Sequence, residues 1–249
     1  MVQGWSWAGY FHYLTNHYIF MGAVNTVYLT VAGMAGGLVL GTLLAFARLS
    51  PWVWVNQLAR AYIWVFRGTP LLVQLIIIYT GLPQVGIRFT VVEAVLIGLI
   101  MNEAAYLAEI IRGGVEALPR QQINAAKALG FNHFGVARYV IFPQTMRLIL
   151  PSLGNSFNGL LKTTSVASVI SMEELLRRTQ MLIQEQFMVL ELFMVAATYY
   201  LILTTLWDFI QRRIERHYAR AYQSTHTPPA RVEATQQQMT GITAKEGSS

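Results

Sequence analysis

Two ionisable side chains stand inside stretches of the chain that are otherwise strongly apolar. Glu103 lies in the run 90–111, and Lys162 lies in the run 148–170. A charged side chain at the centre of a bilayer costs at least about 2.5 to 3.5 kcal/mol unless it is paired or faces water. We therefore expect Glu103 and Lys162 either to pair across two helices or to line a water-filled path, where they would meet the charged groups of a solute.

The second of these runs also carries uncharged polar residues. Asn155, Asn158 and Lys162 follow one another at intervals of three and four positions, which places them on one face of a helix. Thr163 and Ser165 add hydroxyl groups to the same segment. This polar stripe is predicted to contact the solute, and no residue is assigned a catalytic role.

The composition excludes several other kinds of chemistry. Of 249 residues, 54% are hydrophobic and only 12% are charged, whereas soluble proteins carry roughly 25% charged residues. Cysteine is absent and there are five histidines, so a thiol nucleophile, a disulfide framework and a metal site are not expected. The net charge of +6 is not gathered in one arm or stripe, which argues against a nucleic-acid partner. The surroundings of this chain are predicted to be largely lipid.

Five apolar stretches are long enough to cross a bilayer, which takes roughly 20 residues. They are 20–47, 52–83, 90–111, 148–170 and 187–210. Arg60 and Arg67 confine the uncharged part of the second stretch to Gly68 onward, so its first half is expected at an interface. The predicted fold class is an all-α membrane protein with five transmembrane helices.

The first 19 residues are rich in Trp and Tyr and contain no Lys or Arg. Such aromatic residues collect where membrane meets water, and segment 1–19 is predicted to be a periplasmic interfacial segment. A crossing by this segment would give six spans, but His12, Asn16 and His17 argue against it. In the first span, Gly33, Gly37 and Gly41 allow a close helix contact, which we expect within the chain more than between two copies.

Basic residues in the loops predict the orientation, because cytoplasmic loops carry an excess of Lys and Arg. With five spans threaded in order, one side receives Arg48, Arg60, Arg67, Arg112, Arg120, Lys127, Arg138, Arg147, Arg212, Arg213, Arg216 and Arg220. The other side receives Arg88, Arg177 and Arg178. The amino terminus is therefore predicted outside and the carboxyl terminus in the cytoplasm, with a tail, 216–249, whose composition is typical of disorder.

The loop 112–147, predicted to be cytoplasmic, holds the most specific pattern. Pro119 suits a first helical turn, Ala125 and Ala126 favour a helix of low profile, and Gly130 suits a left-handed cap. A face of small residues can seat closely in a groove on another protein. From composition alone, an ordinary amphipathic loop helix is the simpler interpretation.

Taken with Pro143, the spacing of Ala125, Ala126 and Gly130 resembles the EAA loop of permease subunits in bacterial ATP-binding-cassette (ABC) importers. Other segments resemble one branch of that family, the polar amino acid permeases. These segments are Phe66-Arg67-Gly68-Thr69-Pro70-Leu71, Ala105-Tyr106-Leu107-Ala108-Glu109-Ile110-Ile111-Arg112-Gly113, Pro143-Gln144 and Leu161-Lys162-Thr163-Thr164-Ser165. The resemblance runs from about Val24 to about Arg213, and the order of its linked motifs makes it specific.

The resemblance implies a MetI-like transmembrane domain of a type I ABC importer, covering residues 20–215. It implies that the loop around 119–143 inserts into a separate ATPase and drives alternating access for a polar amino acid. The residues expected to make this coupling contact are Pro119, Asn124, Ala125, Ala126, Lys127 and Gly130. The residues expected along the substrate pathway are Glu103, Asn155, Asn158, Lys162, Thr163 and Ser165.

The same resemblance implies the partners and the location. They are an ATPase dimer, a second permease subunit that is identical or related, a periplasmic or extracellular amino acid-binding protein and the lipid of the bacterial inner membrane. The chain lacks a nucleotide-binding motif, because a phosphate-binding loop needs Gly directly before Lys and Leu161 precedes Lys162. No cofactor is therefore expected in this chain, and ATP and Mg²⁺ are expected in the partner ATPase.

Three positions depart from the family pattern. Asn124 stands at the usual acidic position of the loop and cannot form an ion pair with an ATPase, and Gln121 stands where a Gly is common. Thr163 stands where an Asp often follows the Lys. An alternative is a secondary transporter with Glu103 as the coupling acid, which predicts an internal repeat with broken helices that we do not find. A second alternative is a membrane scaffold whose loop docks a cytoplasmic partner.

Overall fold

The computed structural model describes residues 5–223, and this part of the chain is helical throughout, without a strand. In chain order the helices are α1 (Trp7–Leu14), α2 (His17–Leu49), α3 (Val53–Gly68), α4 (Leu71–Ile76), α5 (Val91–Glu116), α6 (Arg120–Ala128), α7 (His133–Gly135), α8 (Phe142–Thr163), α9 (Leu175–Gln186) and α10 (Val189–Gln223). Helix α4 continues through a π-helical turn and a 3-10 turn to Val85. The predicted all-α class is confirmed.

The helices correspond closely to the predicted crossings. Among the described residues, three helices are long and apolar enough to cross a membrane: α2, α5 and the part of α10 from Val189 to Tyr218. Helix α3 and the segment Leu71–Val85 would make a fourth crossing if they form one span, bent by 102°. The fourth predicted crossing is α8, whose 22 residues would span about 33 Å. Helix α8 is less apolar than the other predicted crossings because it carries polar residues.

Helices α2 and α5 form the central contact of the bundle. A Cβ atom added at Gly37 would lie 3.1 Å from the Cβ of Glu103, and one at Gly41 would lie 3.0 Å from the carbonyl oxygen of Ala104. Only glycine lets the two backbones approach so closely. The small residues of the first crossing therefore pack within the chain, as predicted. A buried apolar cluster that includes Leu29, Leu75, Leu99 and Leu160 joins α2, α4, α5 and α8.

The amino-terminal aromatic segment forms α1, which packs on α9 and α10. The backbone N–H of Ser6 donates to Oε1 of Glu191 over 2.7 Å, and the hydroxyl of Tyr199 donates to the carbonyl of Leu14 over 2.9 Å. Tyr13 lies in the apolar cluster between these helices. Segment 1–19 is thus a docked helix preceding α2, and its place at a membrane surface stays a prediction.

A buried carboxylate begins α9. Glu174 accepts hydrogen bonds from the backbone N–H groups of Leu176 and Arg177 over 2.9 and 2.8 Å, and from the hydroxyl of Tyr200 over 3.0 Å. Burial raises the pKa of the Glu174 carboxyl above its ordinary value, although these hydrogen bonds favour its charged form. The side chain therefore caps a helix and joins it to α10.

Among the described residues, 212–223 belong to a second unit. In this unit the helix continues to Gln223, past the predicted domain boundary at 215. Most of the tail predicted to be disordered falls on 224–249, which lies outside the described residues, so that prediction is untested. The basic side chains of Arg213 and Arg216 are exposed on the helical part.

Candidate functional site

The break between α3 and α4 exposes backbone groups that side chains must satisfy. Proline has no N–H, so Pro70 cannot donate to the carbonyl of Phe66 as the next helical turn would. Two side-chain amides replace it: Nε2 of Gln74 and Nδ2 of Asn102 donate to that carbonyl over 3.1 and 3.2 Å. Gln74 also donates to the carbonyl of Thr69 over 3.1 Å. In a membrane each unsatisfied group would cost several kcal/mol, so these amides hold the bend.

A cavity of about 600 Å³ opens beside this bend. This volume falls within the range of small-molecule sites, about 300 to 1,000 Å³. Its walls come from the α3–α4 break, from α5 and from α8. The lining residues are Arg67, Thr69, Pro70, Leu71, Asn102, Glu103, Tyr106, Glu109, Ile110, Ser156, Gly159, Leu160 and Thr163.

Glu103 is the buried carboxylic acid of this cavity. Its side chain is wedged against Gly37 of α2, and the residue is 8% exposed. Oε1 is buried and has no hydrogen-bond partner among the described residues, while Ser156 interacts with the carboxyl from α8. An unsatisfied buried acceptor costs about 1 to 3 kcal/mol, and more when it is charged. The cavity wall therefore includes a carboxyl group that has one buried oxygen without a hydrogen-bond partner among the described residues.

Two further charges reach the cavity wall, and only one of them is neutralised. Glu109 is held by Arg112, with Nη2 to Oε2 at 2.7 Å, and by Arg48 at 3.5 Å. The guanidinium carbon of Arg67 lies 5.3 Å from the centre of the Tyr106 ring. Among the ion pairs of the described residues, none involves Arg67. The cavity thus carries one cation and one anion without a charged partner.

The six predicted pathway residues divide into three groups. Glu103 and Thr163 lie on the cavity wall. Asn155 and Lys162 are exposed on another face of α8, and no ion pair joins Lys162 to Glu103 in the part of the chain that the structure describes. The face of α8 that lines the cavity is formed by Ser156, Gly159, Leu160 and Thr163. This face is next to the predicted polar stripe, displaced by one residue around the helix.

The remaining two predicted residues contact other parts of the bundle. Nδ2 of Asn158 donates to Oδ1 of Asp208 on α10 over 2.7 Å. Ser165 lies in the 3-10 turn after α8, where its hydroxyl donates to the carbonyl of Lys162 over 2.7 Å. The structure therefore brings neither onto the cavity wall, and a role for them in a solute path stays a prediction.

Six polar residues of the cavity wall were not among the predicted pathway residues: Arg67, Thr69, Asn102, Tyr106, Glu109 and Ser156. Four of them, Arg67, Thr69, Tyr106 and Glu109, lie in the segments that resemble the permease family. One signal was available. A proline at position 70, inside an apolar run, frees a carbonyl that needs a donor, and an amide such as Asn102 can supply it.

The predicted coupling loop forms the short helix α6. Pro119 is the residue before its first turn, and Gly130 follows its end with φ of +85°, which confirms the expected left-handed cap. Asn124, Ala125 and Lys127 are exposed, whereas Ala126 is buried against its own chain. Large apolar side chains nearby are also exposed: Leu129 by 78% and Phe134 by 76%. The loop thus presents a surface of small, polar and apolar residues.

Comparison with known proteins decides which family this architecture represents. Residues 37–220 match the family of binding-protein-dependent transport system inner membrane components. The chain belongs to this family. Its members are membrane components of transport systems, so this chain is a permease subunit. The family supports the predicted ABC importer and does not support the alternative of an ion-coupled secondary transporter.

Two curated relatives show the extent of the likeness. The chain is 40% identical over 198 residues to the glutamine transport system permease protein GlnP of Escherichia coli, covering 78% of this chain and 90% of that one. It is 35% identical over 243 residues to the arginine transport system permease protein ArgU of Corynebacterium glutamicum, covering 92% of this chain and 76% of that one. Both relatives are permeases, but the solutes in their names differ in charge.

Solved structures confirm the fold. A crystal structure of an amino acid ABC transporter with histidines superposes with a TM-score of 0.80 at 33% identity, covering 86% of this chain and all of that one. An inward-facing methionine ABC transporter, MetNI, superposes with a TM-score of 0.66 at 20% identity, over 81% of this chain and 96% of that one. The chain therefore has the MetI-like fold of a type I ABC importer, as predicted.

Proposed function

We propose that this chain is the transmembrane subunit of an ATP-driven importer that moves a polar amino acid by alternating access. The observation that carries the proposal is the cavity between the α3–α4 break, α5 and α8, with the buried carboxylate of Glu103 facing it. Amino acid permeases among the relatives and the amino acid transporter among the solved structures support the same solute class. Glu103 would accept the solute's ammonium group, and Arg67 would receive its carboxylate.

A second permease subunit, identical or related, would cover the polar face of α8. Asn155 and Lys162 are exposed there, and polar side chains that face lipid are costly. Contact with another permease across a water-filled path would remove that cost. Asn158, Thr163 and Ser165 would then lie near the same path, and their polar groups would contact the solute as it moves.

Coupling to ATP would run through α6. Asn124, Ala125 and Lys127 are free to enter a groove of an ATPase dimer, and Pro119 and Gly130 set where the helix begins and ends. ATP and Mg²⁺ would bind in that partner, and this chain would hold no cofactor. An amino acid-binding protein would dock on the opposite side, with the amino terminus outside and the carboxyl terminus in the cytoplasm of a bacterial cell.

Purification of the tagged chain from native membranes in mild detergent tests this proposal. We expect an ATPase subunit to co-purify, and the complex in liposomes to take up amino acids with its binding protein only when ATP is supplied. The number of permease chains recovered distinguishes a homodimer from a pair of related subunits. A chain that emerges alone and still catalyses amino acid uptake without ATP would overturn the proposal.

A loop variant tests the coupling step itself. Ala125→Arg places a long side chain on the exposed face of α6, and we expect ATP-driven uptake to fall at least about tenfold because the helix no longer seats in the ATPase. Gln184→Arg, on the exposed end of α9, is the matched control and should leave uptake unchanged. Equal uptake in the two variants would rule out α6 as the coupling element.

A further inference from the structure

The unpaired charges on the cavity wall point to the class of amino acid that this permease accepts. We infer that the cavity binds a neutral amino acid with a polar side chain and rejects amino acids with a cationic or an anionic side chain. This inference rests on the proposed function, and it chooses between solutes as different as those named for the two relatives, glutamine and arginine.

The first step is the balance of charge. Glu103 and Arg67 have no charged partner among the described residues, whereas Glu109 already interacts with Arg48 and Arg112. One free anion and one free cation match the two charged groups that every amino acid zwitterion carries. Once the zwitterion is bound, no charge on the wall remains unpaired.

The second step is position. Arg67 and Glu103 line the same cavity, and Arg67 lies over the ring of Tyr106, which follows Glu103 by three residues on α5. In an α-amino acid, the ammonium and carboxylate groups are attached to the same carbon atom. A ligand of that kind in the cavity would turn its ammonium group toward Glu103 and its carboxylate toward Arg67.

The third step concerns the ligand's side chain. The other polar groups on the wall are neutral: the hydroxyls of Ser156 and Thr163 and the amide of Asn102. A cationic side chain would need a second free carboxylate, and an anionic one would need a second free cation. Burying a charge without a partner is costly, whereas an amide or hydroxyl side chain can hydrogen-bond to these groups.

Direct binding to the purified complex tests the inference without the binding protein, which has its own selectivity. Radiolabelled L-glutamine, L-arginine and L-glutamate serve as probes, and we expect L-glutamine to bind at least about tenfold more tightly than the other two. Glu103→Gln should weaken binding of L-glutamine by a similar factor, because its ammonium group loses the carboxylate.

A designed change of selectivity sharpens the test. Thr163→Asp places a second carboxylate on the cavity wall, and we expect it to increase the affinity for L-arginine at least about tenfold relative to that for L-glutamine. Thr15→Asp is the matched control: it makes the same change at an exposed residue between α1 and α2 that is not one of the lining residues. It should leave the preference unchanged.

The outcomes separate this inference from the proposed function. If wild-type complex binds L-arginine or L-glutamate as tightly as L-glutamine, the inference is overturned while amino acid import stands. If Thr15→Asp shifts the preference as much as Thr163→Asp, the cavity is not the selective site and the inference is again overturned. If a folded complex neither binds any of the three probes nor takes up amino acids with ATP, both proposals fail.

Discussion

Asn102 on α5 donates a hydrogen bond over 3.2 Å to the carbonyl of Phe66, 36 residues earlier at the end of α3. The same amide group donates over 3.1 Å to Oε1 of Gln74 on α4. A single side chain therefore joins the two halves of the broken crossing to the helix that carries Glu103. Because these hydrogen bonds lie beside the cavity, the same contacts hold both the bend and the helix that carries the Glu103 carboxylate.

Replacement of Asn102 with Leu should destabilise the bend. The variant leaves the carbonyl of Phe66 with one donor instead of two, and Oε1 of Gln74 loses its donor. We expect the free energy of unfolding to fall by about 1 to 3 kcal/mol, measured by thermal or denaturant unfolding in detergent. Asn155→Leu, at an exposed position of α8, should change it by less than about 0.5 kcal/mol. Similar losses in both variants would contradict the role assigned to Asn102.

Much of the fold could be predicted from the sequence, because the crossings follow from the length of apolar runs. The turn at Gly130 followed from local chemistry, since glycine adopts positive φ without strain. The close helix contact at Gly37 was predicted from the spacing of small residues, but the helix that makes this contact, α5, was not. These features depend on residues close together in the chain, where pattern and geometry are directly linked.

The cavity could be predicted only in part, because its walls come from segments distant in the chain. Glu103 could be identified since a buried charge stands out in any apolar run. The helix that Asn158 contacts could not be predicted, because the helical period shows which residues share a face and not which helix that face meets. Its amide contacts Asp208, and Ser156 occupies the neighbouring face that lines the cavity. Only the packing of α8 against α5 and α10 decides between the two.

Helix α2 should lose stability when a branched side chain is added at Gly37. A Cβ there would lie 3.1 Å from both Cβ and Cγ of Glu103, so Gly37→Val should separate α2 from α5, lower the unfolding temperature and reduce amino acid binding. Gly113→Ala is the matched control, because nothing lies within 4 Å of its added Cβ. Alanine favours a helix over glycine by up to about 1 kcal/mol, so that variant should be as stable as the wild type or more so. Equal stability of Gly37→Val and wild type would show that α2 and α5 are not closely packed at Gly37.

Trp207 should contribute to stability through one hydrogen bond that joins α10 to α8. Its Nε1 donates to the carbonyl of Gly154 over 2.8 Å, and its ring stacks on Phe157 with centroids 3.7 Å apart. Trp207→Phe keeps an aromatic ring for stacking and removes the donor, so we expect a loss of about 0.5 to 1.5 kcal/mol in unfolding free energy. Trp54→Phe, at a residue that is 84% exposed, should cost little by the same measurement. A larger loss at Trp54 would contradict this assignment.

Glu174 should make stability depend on pH in a defined direction. Burial raises the pKa of its carboxyl in the folded protein, so the folded state binds the proton more tightly than the unfolded state does. The stabilisation from this group is complete below the unfolded pKa of about 4.3 and is lost as the pH rises through the folded pKa.

Glu174→Gln cannot titrate but can still accept a hydrogen bond from the start of α9. The difference in unfolding temperature, wild type minus variant, should therefore decrease as the pH rises above about 4, because other titrating groups cancel in the difference. A difference that increases with pH would mean that the hydrogen bonds from Leu176, Arg177 and Tyr200 outweigh burial and lower the pKa instead.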